Sequence, residues 1–143
     1  MFYSTGCSQS TDKSGEKDDY QLLKEYFHNQ HKFDIKTYHK RILVITQENC
    51  PSCNKTFASF VLSNINDTSS IVLITSDGTA LDLTPFKNAK GLVFFDSSPI
   101  IDSDVFSKTC IIKLHNNSID TVINIEARQI EEQLSWLIND LSE

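Results

Sequence analysis

Several features that this chain lacks narrow what it can be. It has no surplus of positive charge: 13 Lys and Arg stand against 19 Asp and Glu, for a net charge of -6. With no basic stripe to neutralise phosphates, a nucleic-acid partner is not expected. No apolar run approaches the ~20 residues that a membrane-spanning helix needs. Four cysteines in 143 residues are too few for a disulfide-scaffolded miniprotein. There is no Gly-rich phosphate loop, no GxSxG turn, no HExxH helix and no internal repeat. Histidine offers only a loose His28–His31 pair, which reads as solvated, and a zinc site normally needs four ligands. No metal and no cofactor is therefore expected. What is present is ordinary for one domain with a sizeable core: 39% hydrophobic and 22% charged residues.

The stretch that organises the rest is 41–65, RILVITQENCPSCNKTFASFVLSNI. Its apolar run Ile42-Leu43-Val44-Ile45 reads as a buried strand. A short polar loop follows, then Cys50-Pro51-Ser52-Cys53. A helix is predicted over 51–65 with Phe57, Phe60, Val61 and Ile65 on its inner face. Strand, CxxC and helix in that order point to a redox dithiol. The first cysteine of such a pair lies at the positive end of the helix dipole, which favours its thiolate and makes Cys50 the attacking group. Cys53, one turn in, would resolve the mixed disulfide. Pro51 suits a first helical turn, where its missing N–H costs nothing, and Ser52 is the less restrictive spacer.

Upstream, residues 4–19 carry no aliphatic side chain and read as a flexible tether, so the chain divides into a tether (1–19) and a domain (20–143). A helix is predicted over 18–31, capped by Asp18 or Asp19, with Leu22, Leu23, Tyr26 and Phe27 on one face. Residues 33–39 alternate as an edge strand or extended approach would. Downstream, strands are predicted over 70–75 and 91–96, with a weak helix over 79–90 interrupted by Pro85. Two further strands, 109–115 and 119–125, flank Asn116-Asn117-Ser118, a hairpin signal because Asn tolerates positive φ. A last helix over 127–141 places Ile130, Leu134, Leu137, Ile138 and Leu141 on one face. The strands at 41–46 and 70–75 are joined through a helix and should be parallel.

Together, residues 41–65, the VFFDSS stretch (93–98) and the 109–125 hairpin resemble a thioredoxin-like protein of the TlpA-like kind, and more closely the small CxxC lipoproteins common in Bacteroidetes. The resemblance spans about 33–143. It implies an α/β fold with a central mixed sheet, a parallel βαβ unit plus an antiparallel hairpin, flanked by helices. It also implies a thiol-disulfide oxidoreductase acting on protein disulfides through Cys50 and Cys53, recharged by an upstream reductant. Thr109 stands where the family carries a cis-proline beside the dithiol, so Thr109, with Pro51 and Ser52, is the implied substrate contact. Glu48 and Asn49 stand where an aromatic is usual, and Glu48 reads as a proton acceptor or an exposed loop carboxylate. Pro99 is too far upstream to replace the missing proline. Cys110, next to Thr109, is either a third thiol or metal ligand beside the pair, or a buried core cysteine. A redox-inactive accessory or binding protein with a structural CxxC disulfide is the alternative.

Ser4-Thr5-Gly6-Cys7-Ser8 resembles the end of a bacterial lipoprotein signal, in which the Cys receives the lipid. A full leader has a basic start and an apolar stretch of roughly 7–15 residues, whereas Met1-Phe2-Tyr3 precede Ser4 here. Either the leader is truncated or the match is incidental. On the lipoprotein reading, Cys7 anchors the chain to the cell envelope on its extracytoplasmic, periplasmic side. The tether would then hold the domain about 20 Å from the membrane.

Overall fold

Six consecutive residues, Arg41–Thr46, are all buried and form strand β1 at the centre of a five-stranded sheet. A computed structural model of the chain describes residues 18–47, 50–66, 68–79, 81–89, 92–97 and 107–142. Cys7 with most of the proposed tether, Glu48, Asn49 and Pro99 lie outside the described residues. The element order is α1 (Asp19–His31), β1 (Arg41–Thr46), α2 (Pro51–Asn64), β2 (Ser70–Thr75), α3 (Thr84–Lys87), β3 (Leu92–Phe95), β4 (Cys110–His115), β5 (Ser118–Asn124) and α4 (Ile130–Leu141). The sheet runs β3-β2-β1-β4-β5. Strands β1, β2 and β3 are parallel, while β4 runs antiparallel to β1 and β5 antiparallel to β4. The protein is thus α/β, a mixed sheet with helices packed on it.

Side-chain alternation along β1 divides the core in two. Leu43 and Ile45 join Phe57 and Val61 of α2, Phe86 of α3 and Leu137 of α4 on one face. Ile42 and Val44 join Leu23 and Phe27 of α1 on the other. The topology explains why α2 and α3 share a face. The chain steps in one direction from β1 to β2 to β3, and parallel crossovers are right-handed, so both connections must lie on the same side. The 116–117 turn closes the β4–β5 hairpin with Asn116 at φ 49° and Asn117 at φ 61°, the two-residue geometry that matches strand twist.

Local chemistry sets most element ends. The Asp18 carboxylate accepts the Gln21 N–H at 2.8 Å and caps α1. Its buried face is Tyr20, Leu23, Tyr26 and Phe27; Leu22, expected inside, is only half-buried because the stripe at i, i+3 and i+7 runs through Tyr20 instead. Residues 33–39 form no strand: Phe33 and Ile35 fold onto the α1-side core and the chain turns at 37–38. Pro85 lies in the first turn of α3, so it starts this short helix rather than interrupting a longer one. No helix among the described residues is long and apolar enough to cross a membrane.

The last helix departs most from its predicted face. Ile138, expected inside, is 47% exposed, while Gln133 and Asp140 are buried. The reason is Arg41, whose side chain is 1% exposed. Its Nε donates to Asp140 Oδ2 at 2.9 Å and its guanidinium to Ser70 Oγ at 2.6 Å. Lys113 Nζ donates to the other Asp140 oxygen. A buried guanidinium needs a paired carboxylate, and turning Asp140 inward turns Ile138 out. Burial alone would raise the Asp140 carboxyl, but the Lys113 and Arg41 hydrogen bonds outweigh it and hold it below the usual carboxylate range.

Asp140→Ala is therefore expected to cost about 3 kcal/mol in urea unfolding at neutral pH, because it strands a buried guanidinium. A depressed carboxyl stabilises the fold above its unfolded pKa, near 3.9, and loses that contribution as pH falls through the lower folded value. The gap between wild type and Asp140→Ala should accordingly shrink below about pH 4, as urea melts at descending pH would show.

Candidate functional site

The C-terminal end of β1 is where the sheet changes character. On one side lies parallel β2 and on the other antiparallel β4. In open α/β sheets such a position, at the carboxyl ends of strands, is where ligands bind. The chain emerges there and enters α2 through Cys50, and Cys50 and Cys53 form a disulfide with Cα atoms 5.2 Å apart.

The pair is placed by the helix start itself. Cys50 is the N-cap of α2, in extended conformation, and its Sγ accepts the Cys53 N–H at 3.3 Å. Pro51 follows in the first turn, where it removes an N–H that would lack a helical partner. Cys53 is one turn in and 3% exposed, packed with Phe57 and Ala58, whereas Cys50 is half-buried and Pro51 and Ser52 are exposed. Ser52 Oγ lies 3.5 Å from Cys50 Sγ. One sulfur is thus reachable at the surface and the other is held inside. Gln47, the residue after β1, braces the same edge by accepting from Ser76 Oγ at 2.9 Å and the Asp77 N–H at 3.2 Å. Gly78 completes this turn at φ 91°, a conformation that side chains rarely adopt.

Thr109 lies just before β4, and no cis peptide bond occurs among the described residues. Its hydroxyl is turned inward, and the residue is 3% exposed. Thr109 Oγ1 donates to Asn54 Oδ1 at 2.5 Å and accepts the Thr46 N–H at 3.0 Å. The Thr46 hydroxyl, 3.2 Å away, must then be a donor to it, because the Thr109 proton is already committed. One donor and two lone pairs are all used. Thr109 therefore acts as a polar rivet joining the end of β1, the start of β4 and the first turn of the CxxC helix.

Cys110 does not join the pair. Its register partners are Val44 and Asn124, and it packs in the α1-side core, whereas Cys53 packs in the α2-side core. It is fully buried, and desolvation pushes its thiol up to about 12. Among the described residues no group of three or more His, Cys, Asp or Glu could hold a metal ion.

Two residues of this site escaped the sequence reading: Asn54 and Thr46. Asn54 carried a signal, since an amide at a position flanked by Cys53 and Phe57 on the inner face of a helix must find a buried partner. Thr46 looked like an ordinary strand end.

Thr109→Val keeps the side-chain shape but removes the hydroxyl's bonds to Asn54 Oδ1 and the Thr46 N–H. It is expected to cost about 2 kcal/mol in urea unfolding, with Thr109→Ser retaining most of the stability. In the reduced, folded protein, iodoacetamide at neutral pH should leave Cys110 unlabelled in peptide mapping while Cys50 reacts, and urea should expose Cys110 to the reagent. No protein-family model, no curated protein and no solved structure matches this chain.

Proposed function

We propose that the protein is a thioredoxin-like thiol-disulfide oxidoreductase working through Cys50 and Cys53. The observation that carries this reading is the asymmetry of the pair: a half-buried Cys50 capping a helix and a buried Cys53 one turn behind it. In the reduced state the Cys50 thiolate, favoured by the helix N-terminus, attacks one sulfur of a substrate disulfide. A Cys50–substrate disulfide forms and the other substrate sulfur leaves as a thiolate. Cys53 then attacks Cys50 Sγ, the second substrate thiolate leaves, and the Cys50–Cys53 disulfide remains. Two electrons have passed from the dithiol to the substrate, and an upstream dithiol reductant returns them. Pro51 and Ser52, exposed beside Cys50, are the surface that a protein substrate would meet. The Thr109 hydroxyl and carbonyl are both used internally, so Thr109 would act by holding Asn54 behind the dithiol and not by meeting substrate. The extracytoplasmic location, with lipidation of Cys7 as the anchor, is proposed from the lipoprotein-like stretch 4–8 alone.

A second reading has one observation in its favour. Thr109 stands where a substrate-guiding proline would be, and its side chain serves the interior. On that reading the disulfide is structural and the protein is a redox-inactive accessory or binding lipoprotein.

Insulin reduction combined with a glutathione redox titration separates the two. The oxidoreductase reading expects turnover that Cys50→Ser abolishes. It also expects Cys53→Ser to accumulate a mixed disulfide on Cys50, visible as a mass adduct removed by dithiothreitol. A pair that stays oxidised in strongly reducing buffers, with no turnover depending on Cys50, would establish the structural reading instead.

A further inference from the structure

Three buried polar side chains meet beside the first turn of the CxxC helix: Thr46 at the end of β1, Asn54 in α2 and Thr109 before β4. Asn54 directly follows Cys53, and it is held twice. Its backbone N–H donates to the Cys50 carbonyl at 3.0 Å, the hydrogen bond that closes the first turn of α2 around the pair. Its side-chain Oδ1 accepts from Thr109 Oγ1 at 2.5 Å. Thr109 in turn cannot follow α2 if that turn loosens. Its hydroxyl accepts the Thr46 N–H at 3.0 Å, and its carbonyl accepts the Ile125 N–H at 2.9 Å. The turn that carries both sulfurs is thus tied to the central strand and to the β4–β5 hairpin through the Asn54–Thr109 hydrogen bond.

While the disulfide stands, its covalent ring holds Cys50 against Cys53 without help. Reduction removes that restraint. A dithiol reductant gives up two electrons and two protons, the S–S bond breaks into two thiols, and the reductant closes its own disulfide. Cys50 is then an N-cap at a helix end, where first turns fray. Fraying would stabilise the reduced state by the conformational entropy it releases, about tenfold in the equilibrium for a single freed residue. A turn pinned in both states releases none. Its two thiols stay placed to re-form the bond, and the disulfide is favoured accordingly. The Thr109 hydroxyl is buried with its donor and both lone pairs used, the condition under which a polar network rigidifies what it holds.

We infer that Asn54 and Thr109 are positioning residues that set the reduction potential of the Cys50–Cys53 pair, keeping it more reducing than an unpinned helix start would. This deepens the redox reading and rests on it only in that the pair must pass between disulfide and dithiol. Neither side chain has to meet substrate; both act through the backbone of the CxxC turn. A role confined to stability would weaken the oxidised and reduced folds alike and leave the potential where it was.

The potential is read by equilibrating the full chain in dithiothreitol redox buffers, trapping free thiols by alkylation and weighing the products. Thr109→Val and Asn54→Ala are expected to raise it by about 30 mV or more, a tenfold loss in the equilibrium constant for the disulfide. Thr109→Ser, which keeps the hydroxyl, should stay near wild type. Phe27→Leu, in the α1-side core, should lose stability and keep its potential. Hydrogen exchange tests the same point without a variant: the Asn54 N–H of the wild type should be as protected in the reduced protein as in the oxidised one. An unmoved potential in Thr109→Val, an equal shift in Phe27→Leu, or loss of Asn54 N–H protection on reducing the wild type would each overturn the inference. Cys50-dependent insulin turnover judges the redox reading separately. Turnover with an unmoved potential keeps that reading and removes this one, and a moved potential without turnover does the reverse.

Discussion

Strand β1 must have every one of its groups satisfied inside the protein. Its backbone pairs with β2 on one side and β4 on the other, and each of its six residues is buried. The middle four are aliphatic and need only packing. The two ends are polar, and a buried polar group without a partner is expensive. Arg41 at the start recruits Asp140 and Ser70, and Thr46 at the finish recruits Thr109. These two demands fix the rotation of α4 and the seating of the strand that starts β4. They also bring Asn54, and with it the first turn of α2, to the end of β1.

The dithiol inherits its geometry from that arrangement. A CxxC at the start of any helix can close a small ring, but which sulfur faces outward depends on how the helix is held. Here Cys53, Asn54, Phe57, Ala58 and Val61 form the buried face of α2, and Asn54 is held by a hydroxyl that has no spare bonding capacity. Cys53 therefore sits in the core and Cys50 at the boundary. The same wall of strands separates Cys110 from the pair, because neighbouring positions on β4 face opposite sides of the sheet. A thiol one residue from Thr109 in sequence thus belongs to a different core from Cys53.

The two edges of the sheet also differ in their electrostatic character. At the C-terminal edge of β1 the bracing side chains Thr46, Gln47, Asn54 and Thr109 are neutral hydroxyls and amides, suited to holding a helix start. At the N-terminal edge the buried Arg41 draws Asp140 and Lys113 together, and Lys40 and His39 precede it in the chain.

Much of the fold was legible in the order of residues. Short, β-branched apolar runs at 42–45 and 71–74 with polar flanks read as buried strands, CPSC marked a helix start, and Asn116-Asn117 marked a tight hairpin, because each signal is local. The α/β class and the place of Cys50 at the head of a helix follow from those signals alone. Tertiary structure decided what depends on partners distant in the chain. It decided that α4 turns Asp140 inward and Ile138 outward, since only Arg41, 99 residues away, makes that rotation favourable. It decided that residues 33–39 cover the core without pairing as a strand. It decided that Thr109 serves Asn54 and Thr46, 55 and 63 residues away, and that Cys110 faces away from the dithiol. The physical reason is the same in each case: hydrophobic periodicity is written residue by residue, whereas the pairing of buried polar groups is fixed only when the strands that carry them are brought side by side.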